Sequence, residues 1–176
     1  MSDVCENEIA YGEVCVLAAG CLRDSSIPMI NAFAPNLSQH APRSARVRLG
    51  GYAHLARLLD KARAVLAGTG GDYHYNCSLD RRFFDFTGID HEAMLTAIKG
   101  GLTDSQMLAW VNEKARKSPA EVVAWSAWLE QNGPGSADMH TWMAGRITET
   151  APGRDDIKTF FELLDLDDYV SFGGKA

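Results

Sequence analysis

The residues with the clearest chemical potential lie in one segment, from Tyr73 to Phe86, that mixes polar and aromatic side chains. Polar groups among bulky aromatics are partly buried, and buried polar groups need hydrogen-bond partners. Cys77 lies near arginines and three residues after His74, so it is a candidate nucleophile with His74 as the nearest base. The alternative is that Cys77 is a small buried apolar residue. Asp80 belongs either to the same site or to a structural ion pair or helix cap.

A second candidate site precedes the first predicted helix. Arg46 and Arg48 stand just before the pair Gly50–Gly51. Paired glycines let the backbone turn sharply, a helix N-terminus adds partial positive charge, and arginines add forked donors for carboxylate or phosphate. These parts favour an anion site. The alternative is a plain loop-to-helix turn with exposed arginines, because the motif matches neither a Walker loop nor a dinucleotide fingerprint.

The helix that follows these glycines carries a polar face. His54, Arg57 and Lys61 fall at i, i+3 and i+7, opposite a face of leucines, and Asp60 and Arg63 flank that row. On a surface helix such residues are solvated charges. On a helix that lines a cleft they form a row of cationic donors with one carboxylate. The sequence alone leaves both interpretations open.

From these patterns we predict a site for a small anion. Its candidate ligand-binding residues are Arg46, Arg48, Gly50, Gly51, Asp60, Lys61, Arg63, Tyr75, Asp80 and Arg81. Its candidate catalytic residues are Cys77, Lys61 and Asp80. We expect no metal and no cofactor, because the five histidines show no H-x-x-x-H or H-E-x-x-H pattern and the four cysteines show no C-x-x-C spacing.

The distribution of charge argues against nucleic acid as a partner. The chain has a formal net charge of -6, and phosphate neutralisation needs clustered Lys and Arg. Residues 40–63 nevertheless carry six basic residues against one acidic residue, and residues 155–176 carry six acidic residues against two basic ones. Either these two ends attract each other, or the basic stretch receives a small anion.

The elements that must position these residues are helices. Apolar residues recur at helical spacing, with cap signals at Asp90, Thr103, Ser118 and Ser136. These patterns predict an all-α, compact, single-domain array of about six helices over residues 36–176. Residues 73–77 are predicted as loop or extended chain, and the last helix includes Ile157. The four tryptophans are predicted to share an aromatic core.

The N-terminal part differs from the rest of the chain. Residues 1–35 are predicted as an extension or extended arm, and residues 1–28 are acidic and hold three of the four cysteines. One hypothesis is that Met29 is the natural start. The apolar run Val14 to Leu22 follows acidic residues, whereas a secretory signal begins with positive charge. No apolar run reaches the ~18 residues of a membrane span, so we expect a cytoplasmic protein with no membrane partner.

Several short sequence motifs occur in the same order as in a known family. They are Pro42-Arg43-Ser44, Leu49 to Tyr52, Leu58 to Ala64, Tyr75 to Asp80, Phe83-Phe84 with Gly88 to Asp90, and Asp165 to Lys175. Over residues 36–176 the chain resembles an uncharacterised bacterial family known only as a domain of unknown function. The resemblance implies no activity. Ser78 stands where family members have proline after the cysteine, and residues 1–28 have no counterpart.

Two function classes follow from the sequence. The first is a helical protein that binds a small anionic molecule, with enzyme activity left open. The second is a non-catalytic interaction or self-association module, such as a homodimer. Its binding surface is the acidic segment Asp165 to Tyr169 or the basic arm, because aromatics among charges are typical of such patches.

Overall fold

The computed structural model describes residues 34–176 of the chain. The predicted N-terminal arm lies almost wholly outside the described residues, as does the hypothesis that Met29 is the natural start. Residues 34–176 contain seven helices and no strand, which confirms the all-α prediction. The helices are α1 (Leu55–Leu66), α2 (Ser78–Thr87), α3 (His91–Lys99), α4 (Asp104–Ala115), α5 (Pro119–Glu130), α6 (Ala137–Thr150) and α7 (Phe160–Ser171).

Five of the helices begin at a polar cap. In each case the cap side chain accepts a hydrogen bond from the backbone N–H three residues later. This N–H lies in the first turn and has no acceptor within the helix itself. The caps of α3 to α7 are Asp90, Thr103, Ser118, Ser136 and Thr159. Four of these caps were predicted. The predicted start of α7 was wrong, because the prediction included Ile157, whereas residues 154–158 are not helical and the helix begins after the Thr159 cap, which forms a capping box with Glu162.

The prediction of six helices missed α2. This helix lies in the segment interpreted above from its polar and aromatic side chains, and its cap position is Cys77. Cysteine is not among the usual cap residues, so the usual start signal is absent. A weaker signal is present, because Asp80 at the third helical position accepts a hydrogen bond from the Cys77 backbone N–H at 3.2 Å.

Helix α1 runs through the centre of the fold. Every residue from Leu55 to Ala64 is buried, including its charged residues. The leucine face packs into the main core with Phe83 of α2, Met94 of α3 and Met107 of α4. Because α1 is covered on all sides, each charge on it needs a partner inside the protein.

The C-terminal helices close the fold over α1. Helix α7 packs against α6 through a smaller cluster that includes Met143 and Leu166. On another side of α7, Phe161 packs with Leu129 of α5 and with Ala53 just before α1. None of the helices in residues 34–176 has the length and apolarity needed to cross a bilayer.

Candidate functional site

The row His54, Arg57 and Lys61 is buried beneath the protein surface. Their exposed fractions are 1%, 2% and 4%, so the interpretation as a solvated face does not hold. They project from one side of α1 towards the loop before α2 and towards α7. Burying three such side chains is unfavourable unless each finds a partner of complementary charge.

Asp80 is the partner of two of them. Its side chain is fully buried, and both its oxygens lie 2.8 Å from Lys61 Nζ. His54 Nε2 lies 2.7 Å from Asp80 Oδ1. Burial by itself opposes ionisation of Asp80, but the hydrogen bond from His54 and the charge of Lys61 outweigh it and lower the pKa of Asp80 to about 2. Asp80 is therefore a buried carboxylate that joins α1 to α2.

His54 is a neutral imidazole with one free nitrogen. Burial lowers its pKa, and this outweighs the opposite effect of the Asp80 carboxylate. A neutral ring beside a carboxylate carries its proton on Nε2, so Nδ1 holds a lone pair. Among the described residues, Nδ1 is a buried side-chain atom without a hydrogen-bond partner. His54 also has a left-handed backbone with φ of 67° at the cap position of α1.

Lys61 also contacts Cys77 at the start of α2. Besides Asp80, its Nζ donates to the His74 backbone oxygen at 3.1 Å and to Cys77 Sγ at 3.3 Å. His74 therefore enters this cluster through its carbonyl group. Asn76, just before the cysteine, adopts φ of 61°, which turns the chain into α2. Lys61, Cys77 and Asp80, the three candidate catalytic residues, thus lie in direct contact.

Arg57 has its own carboxylate. Its Nη1 and Nη2 lie 2.6 and 3.0 Å from the two oxygens of Asp168 on α7, a bidentate pair. The Tyr73 hydroxyl donates to Asp168 Oδ1 at 2.8 Å, and the guanidinium lies 5.4 Å from the centre of the Tyr73 ring. Burial and the Asp168 carboxylate raise the pKa of Tyr73, so its hydroxyl stays protonated.

A cavity of about 730 Å³ lies against this face of α1. We call it the α1 cavity; its wall is formed by His54, Arg57, Lys61, Tyr73, His74, Cys77, Arg146, Leu164, Asp167 and Phe172, with Leu37, Ser38, Gly71, Asp72, Leu79 and Ser171. Asp80 and Asp168 do not line it. The two buried cations therefore face the cavity, whereas the carboxylates that neutralise them lie behind.

The other predicted arginines lie elsewhere. Arg46 pairs with Asp165 at 3.0 Å, and Arg48 pairs with Glu130 at 2.9 Å, both in part-exposed surroundings. Neither contributes to the α1 cavity. The pair between Arg46 and Asp165 joins the basic stretch to the acidic end, which confirms the attraction expected from the charge distribution.

Asp60 and Arg63 are buried on a different face of α1 and belong to a second network, whose other members are part-exposed. Arg43 makes a bidentate pair with Asp60, with Nη2 to Oδ1 at 2.7 Å and Nε to Oδ2 at 2.9 Å. Asp104 at the start of α4 accepts from both Arg43 and Arg63 at 2.6 Å. We call Arg43, Asp60, Arg63 and Asp104 the packed network. None of its members lines the α1 cavity.

The paired glycines form a tight turn rather than the first turn of a helix. Leu49 and Tyr52 exchange two backbone hydrogen bonds of 3.1 Å around Gly50 and Gly51, whose φ angles are 59° and 90°. Two successive positive φ angles are typical of a type I′ turn and favour glycine. Because α1 begins only at Leu55, the predicted loop-to-helix anion site does not form there.

Tyr75 and Arg81 also lie away from the cavity. The Tyr75 hydroxyl donates to the His91 backbone oxygen at 2.9 Å, and its ring packs edge-on against Phe84. Burial raises the pKa of Tyr75. Arg81 is exposed on α2. Tyr75 thus belongs to the core, and Arg81 to the surface.

The structure adds residues that were not among the predicted site residues. Arg57 and His54 shared the predicted polar row, and their spacing was the signal that identifies them. Tyr73 lay in the predicted polar segment but had no assigned role. Arg146 and Asp167 come from α6 and α7, and no local pattern connects them with α1. The described part of the chain has no group of three or more His, Cys, Asp or Glu residues placed to hold a metal ion.

Comparison with known families gives one match. The sequence profile of the family described as domain of unknown function (DUF5069) matches residues 39–170. No curated protein matches the chain. The family resemblance that the short sequence motifs predicted for residues 36–176 is therefore confirmed over residues 39–170.

Proposed function

The chain belongs to the DUF5069 family, whose description assigns no activity, and we propose from the site alone that it binds a small anionic molecule in the α1 cavity. Arg57 and Lys61 would receive the carboxylate or phosphate group of that molecule. Enzyme activity is not part of this proposal.

The observation that carries the proposal is the order of charges around the cavity. Arg57 and Lys61 are both buried and both face the cavity, whereas Asp168 and Asp80 approach them from the protein side. Charges in a site with limited water interact more strongly than charges in bulk solvent. An anion in the cavity would therefore meet Arg57 and Lys61 with Asp168 and Asp80 behind them, although the wall also includes the carboxylates of Asp72 and Asp167.

The remaining wall suits a small polar ligand. A volume of about 730 Å³ lies in the range of small-molecule sites. Leu164 of α7 and Phe172, just after its end, provide apolar surface, and Arg146 adds a third cation, which pairs with Asp167 at 3.3 Å. This combination of apolar contacts with a few placed charges is typical of pockets that orient a ligand.

A thermal-shift series with citrate, inorganic phosphate and succinate tests the proposal. Chloride at the same ionic strength is the reference. A bound ligand stabilises the folded chain by roughly 2.7 kcal/mol at a concentration one hundred times its Kd, so above the Kd the Tm keeps rising with the logarithm of the anion concentration. If no anion raises Tm beyond the chloride reference, the proposal fails.

A matched pair of variants locates the effect. Ser171→Trp places a large ring in the cavity wall without removing any charge, and Ser105→Trp places the same ring on the exposed surface of α4. We expect the anion-dependent rise in Tm to be lost in Ser171→Trp and kept in Ser105→Trp. An equal rise in both variants would place the anion elsewhere.

The alternative function, an interaction or self-association module, has weaker support. Asp165 and Asp168 of its acidic surface pair internally with Arg46 and Arg57. Tyr169 keeps 57% of its surface exposed and remains available to a partner. Analytical ultracentrifugation tests the homodimer, and a strict monomer across the concentration range argues against it.

A further inference from the structure

Cys77 is a thiol in the wall of the α1 cavity that anion binding leaves without a role. Among the described residues that line the α1 cavity, it carries the only thiol. It is partly exposed there and stands at the cap position of the ten-residue helix α2. A buried structural cysteine would instead be enclosed in apolar surroundings and away from charge.

Lys61 places a positive charge beside this sulfur. Its Nζ lies 3.3 Å from Sγ, and contacts with Asp80 and the His74 carbonyl hold it there. A neighbouring ammonium and a helix N-terminus both stabilise the negative charge that sulfur carries when it attacks a carbon atom. The cation is therefore built into the fold before any ligand arrives.

A second observation points to an occupant next to the thiol. His54 is 1% exposed and forms part of the cavity wall, yet its Nδ1 has no partner among the described residues. Since Nε2 is engaged by Asp80, Nδ1 is an acceptor that lacks a donor. An unpaired buried acceptor is unfavourable by itself, and a ligand with a hydroxyl group would satisfy it.

We infer that Cys77 is the nucleophile for a small anionic carbonyl compound of the 2-oxo acid class. This inference rests on the proposed anion site, because the charges of Arg57 and Lys61 attract the carboxylate. In the step, Sγ forms a bond to the carbonyl carbon and the C=O π pair moves to oxygen. The thiol proton ends on that oxygen, so the product is a hydroxyl-bearing thiohemiketal, or a thiohemiacetal with glyoxylate, and no oxidant or reductant is needed.

Alkylation kinetics test the nucleophile and its preference for anions together. Iodoacetate carries a carboxylate, and iodoacetamide is its neutral counterpart; with either, an S–C bond forms as iodide leaves and the thiol proton passes to buffer. Cys5, Cys15 and Cys21 are replaced by serine, which leaves Cys77 as the only thiol. We expect the iodoacetate-to-iodoacetamide rate ratio to exceed that of N-acetylcysteine by about tenfold or more.

A pair of lysine variants tests whether the positive charge of Lys61 promotes the reaction of Cys77. We expect Lys61→Met to lower the rate with iodoacetate by about tenfold or more, whereas Lys114→Met on the exposed side of α4 leaves it unchanged. Circular dichroism of both variants shows whether each is folded. If Lys61→Met is unfolded, the iodoacetate-to-iodoacetamide rate ratio of the protein that keeps Lys61 still decides the inference.

Protection experiments test the carbonyl class. Glyoxylate, the simplest 2-oxo acid, can add to the thiol, and glycolate has similar size and charge but no carbonyl carbon to attack. We expect glyoxylate to slow iodoacetamide alkylation of Cys77 much more than glycolate. Equal protection by the two anions would overturn the inference while supporting the anion site. An alkylation rate ratio equal to that of N-acetylcysteine, together with an anion-dependent rise in Tm, would also overturn only the inference. If the ratio is not raised and no anion raises Tm, both the inference and the proposed anion site are overturned.

Discussion

Helix α1 carries two buried charged faces that differ in what lies beyond them. On one face, His54, Arg57 and Lys61 meet Asp80 and Asp168 and then the α1 cavity. On the other, Asp60 and Arg63 join the packed network, whose donors reach carboxylates and backbone carbonyls within the fold. Both faces satisfy the requirement that a buried charge be paired.

The difference between the faces shows why charge pairing alone does not identify a site. In the packed network the Arg43 guanidinium is held between two aspartates, and among the described residues the only hydrogen bond of Arg43 with the cavity face is made by its backbone oxygen, which accepts from Arg57 Nη1 at 3.4 Å. On the cavity face each cation is buried against its carboxylate on one side and contributes to the wall of the α1 cavity on the other. The feature that distinguishes a candidate binding face from a structural one is therefore the direction in which the cations point.

The largest expected effect comes from removing the carboxylate of the cavity face. Asp80→Asn leaves Lys61 buried without a charged partner, and breaking a buried pair in this way costs about 3–5 kcal/mol. We expect the free energy of unfolding from urea denaturation to fall by that amount. Asp85→Asn, at an exposed position of the same helix, is the control and should change little. Comparable losses in the two variants would mean that the Asp80 contacts do not stabilise the fold.

The next effect is a pH dependence specific to His54. Its folded pKa lies below the ordinary 6.5, so below that pH the unfolded chain takes up a proton that the folded chain excludes. Stability therefore falls with pH below 6.5, with a slope of up to about 1.4 kcal/mol per pH unit. Asp80, with its pKa lowered to about 2, adds a further loss as pH falls below its ordinary 3.8.

We expect His54→Gln to flatten the stability profile between pH 7 and 5, because an amide does not take up the proton. His140→Gln, at an exposed position on α6, should keep the slope of the natural chain. Urea denaturation at several pH values measures both slopes. Parallel profiles for His54→Gln and the natural chain would contradict the neutral, buried state assigned to this imidazole.

A smaller effect is expected in the packed network. The Asp104 side chain keeps 31% of its surface exposed, whereas that of Asp80 is fully buried. Asp104→Asn should lower the free energy of unfolding by about 1–2 kcal/mol, since Asp104 itself is part-exposed and solvent reaches Arg43, one of the two arginines that it leaves behind. The Asp104→Asn variant should also keep the anion-dependent rise in Tm. Loss of that rise would show that the two faces of α1 are not independent.

The smallest effect is expected at the surface arginines. Arg48→Ala removes a part-exposed pair with Glu130, which is worth about 0–1 kcal/mol. Because Arg48 does not line the α1 cavity, the response to citrate or phosphate should be unchanged. A weakened response would mean that Arg48 contributes to anion binding, as its position near the paired glycines predicted.

Most of the fold could be predicted because its signals are local. A cap such as Ser118 and its partner Glu121 lie three residues apart, so the sequence displays both at once. Helix α2 was missed because its cap is cysteine. The predicted tryptophan core is correct for Trp125, which stacks on Phe86 with ring centres 4.5 Å apart. It is wrong for Trp128 and Trp142, which are 51% and 54% exposed, because helical spacing does not show which faces remain uncovered.

The candidate site could be predicted only where its parts are close in the chain. Lys61, Cys77 and Asp80 lie within 20 residues of one another, and the structure places them in contact. The partners of Arg46 and Arg48 lie 119 and 82 residues away, so nothing near the arginines showed that they were engaged. The same distance hid Asp168, which holds Arg57 from α7 across 111 residues.

The most direct test compares the two faces of α1 in one sample. The Nε–H groups of Arg57 and Arg63 give separate signals in a ¹⁵N-resolved NMR spectrum, and both side chains are buried on the same helix. During titration with inorganic phosphate and then with citrate, the Arg57 signal should shift and saturate with at least one of these anions while the Arg63 signal stays in place. An Arg57 signal that moves with neither anion, or an Arg63 signal that moves equally, would contradict the account.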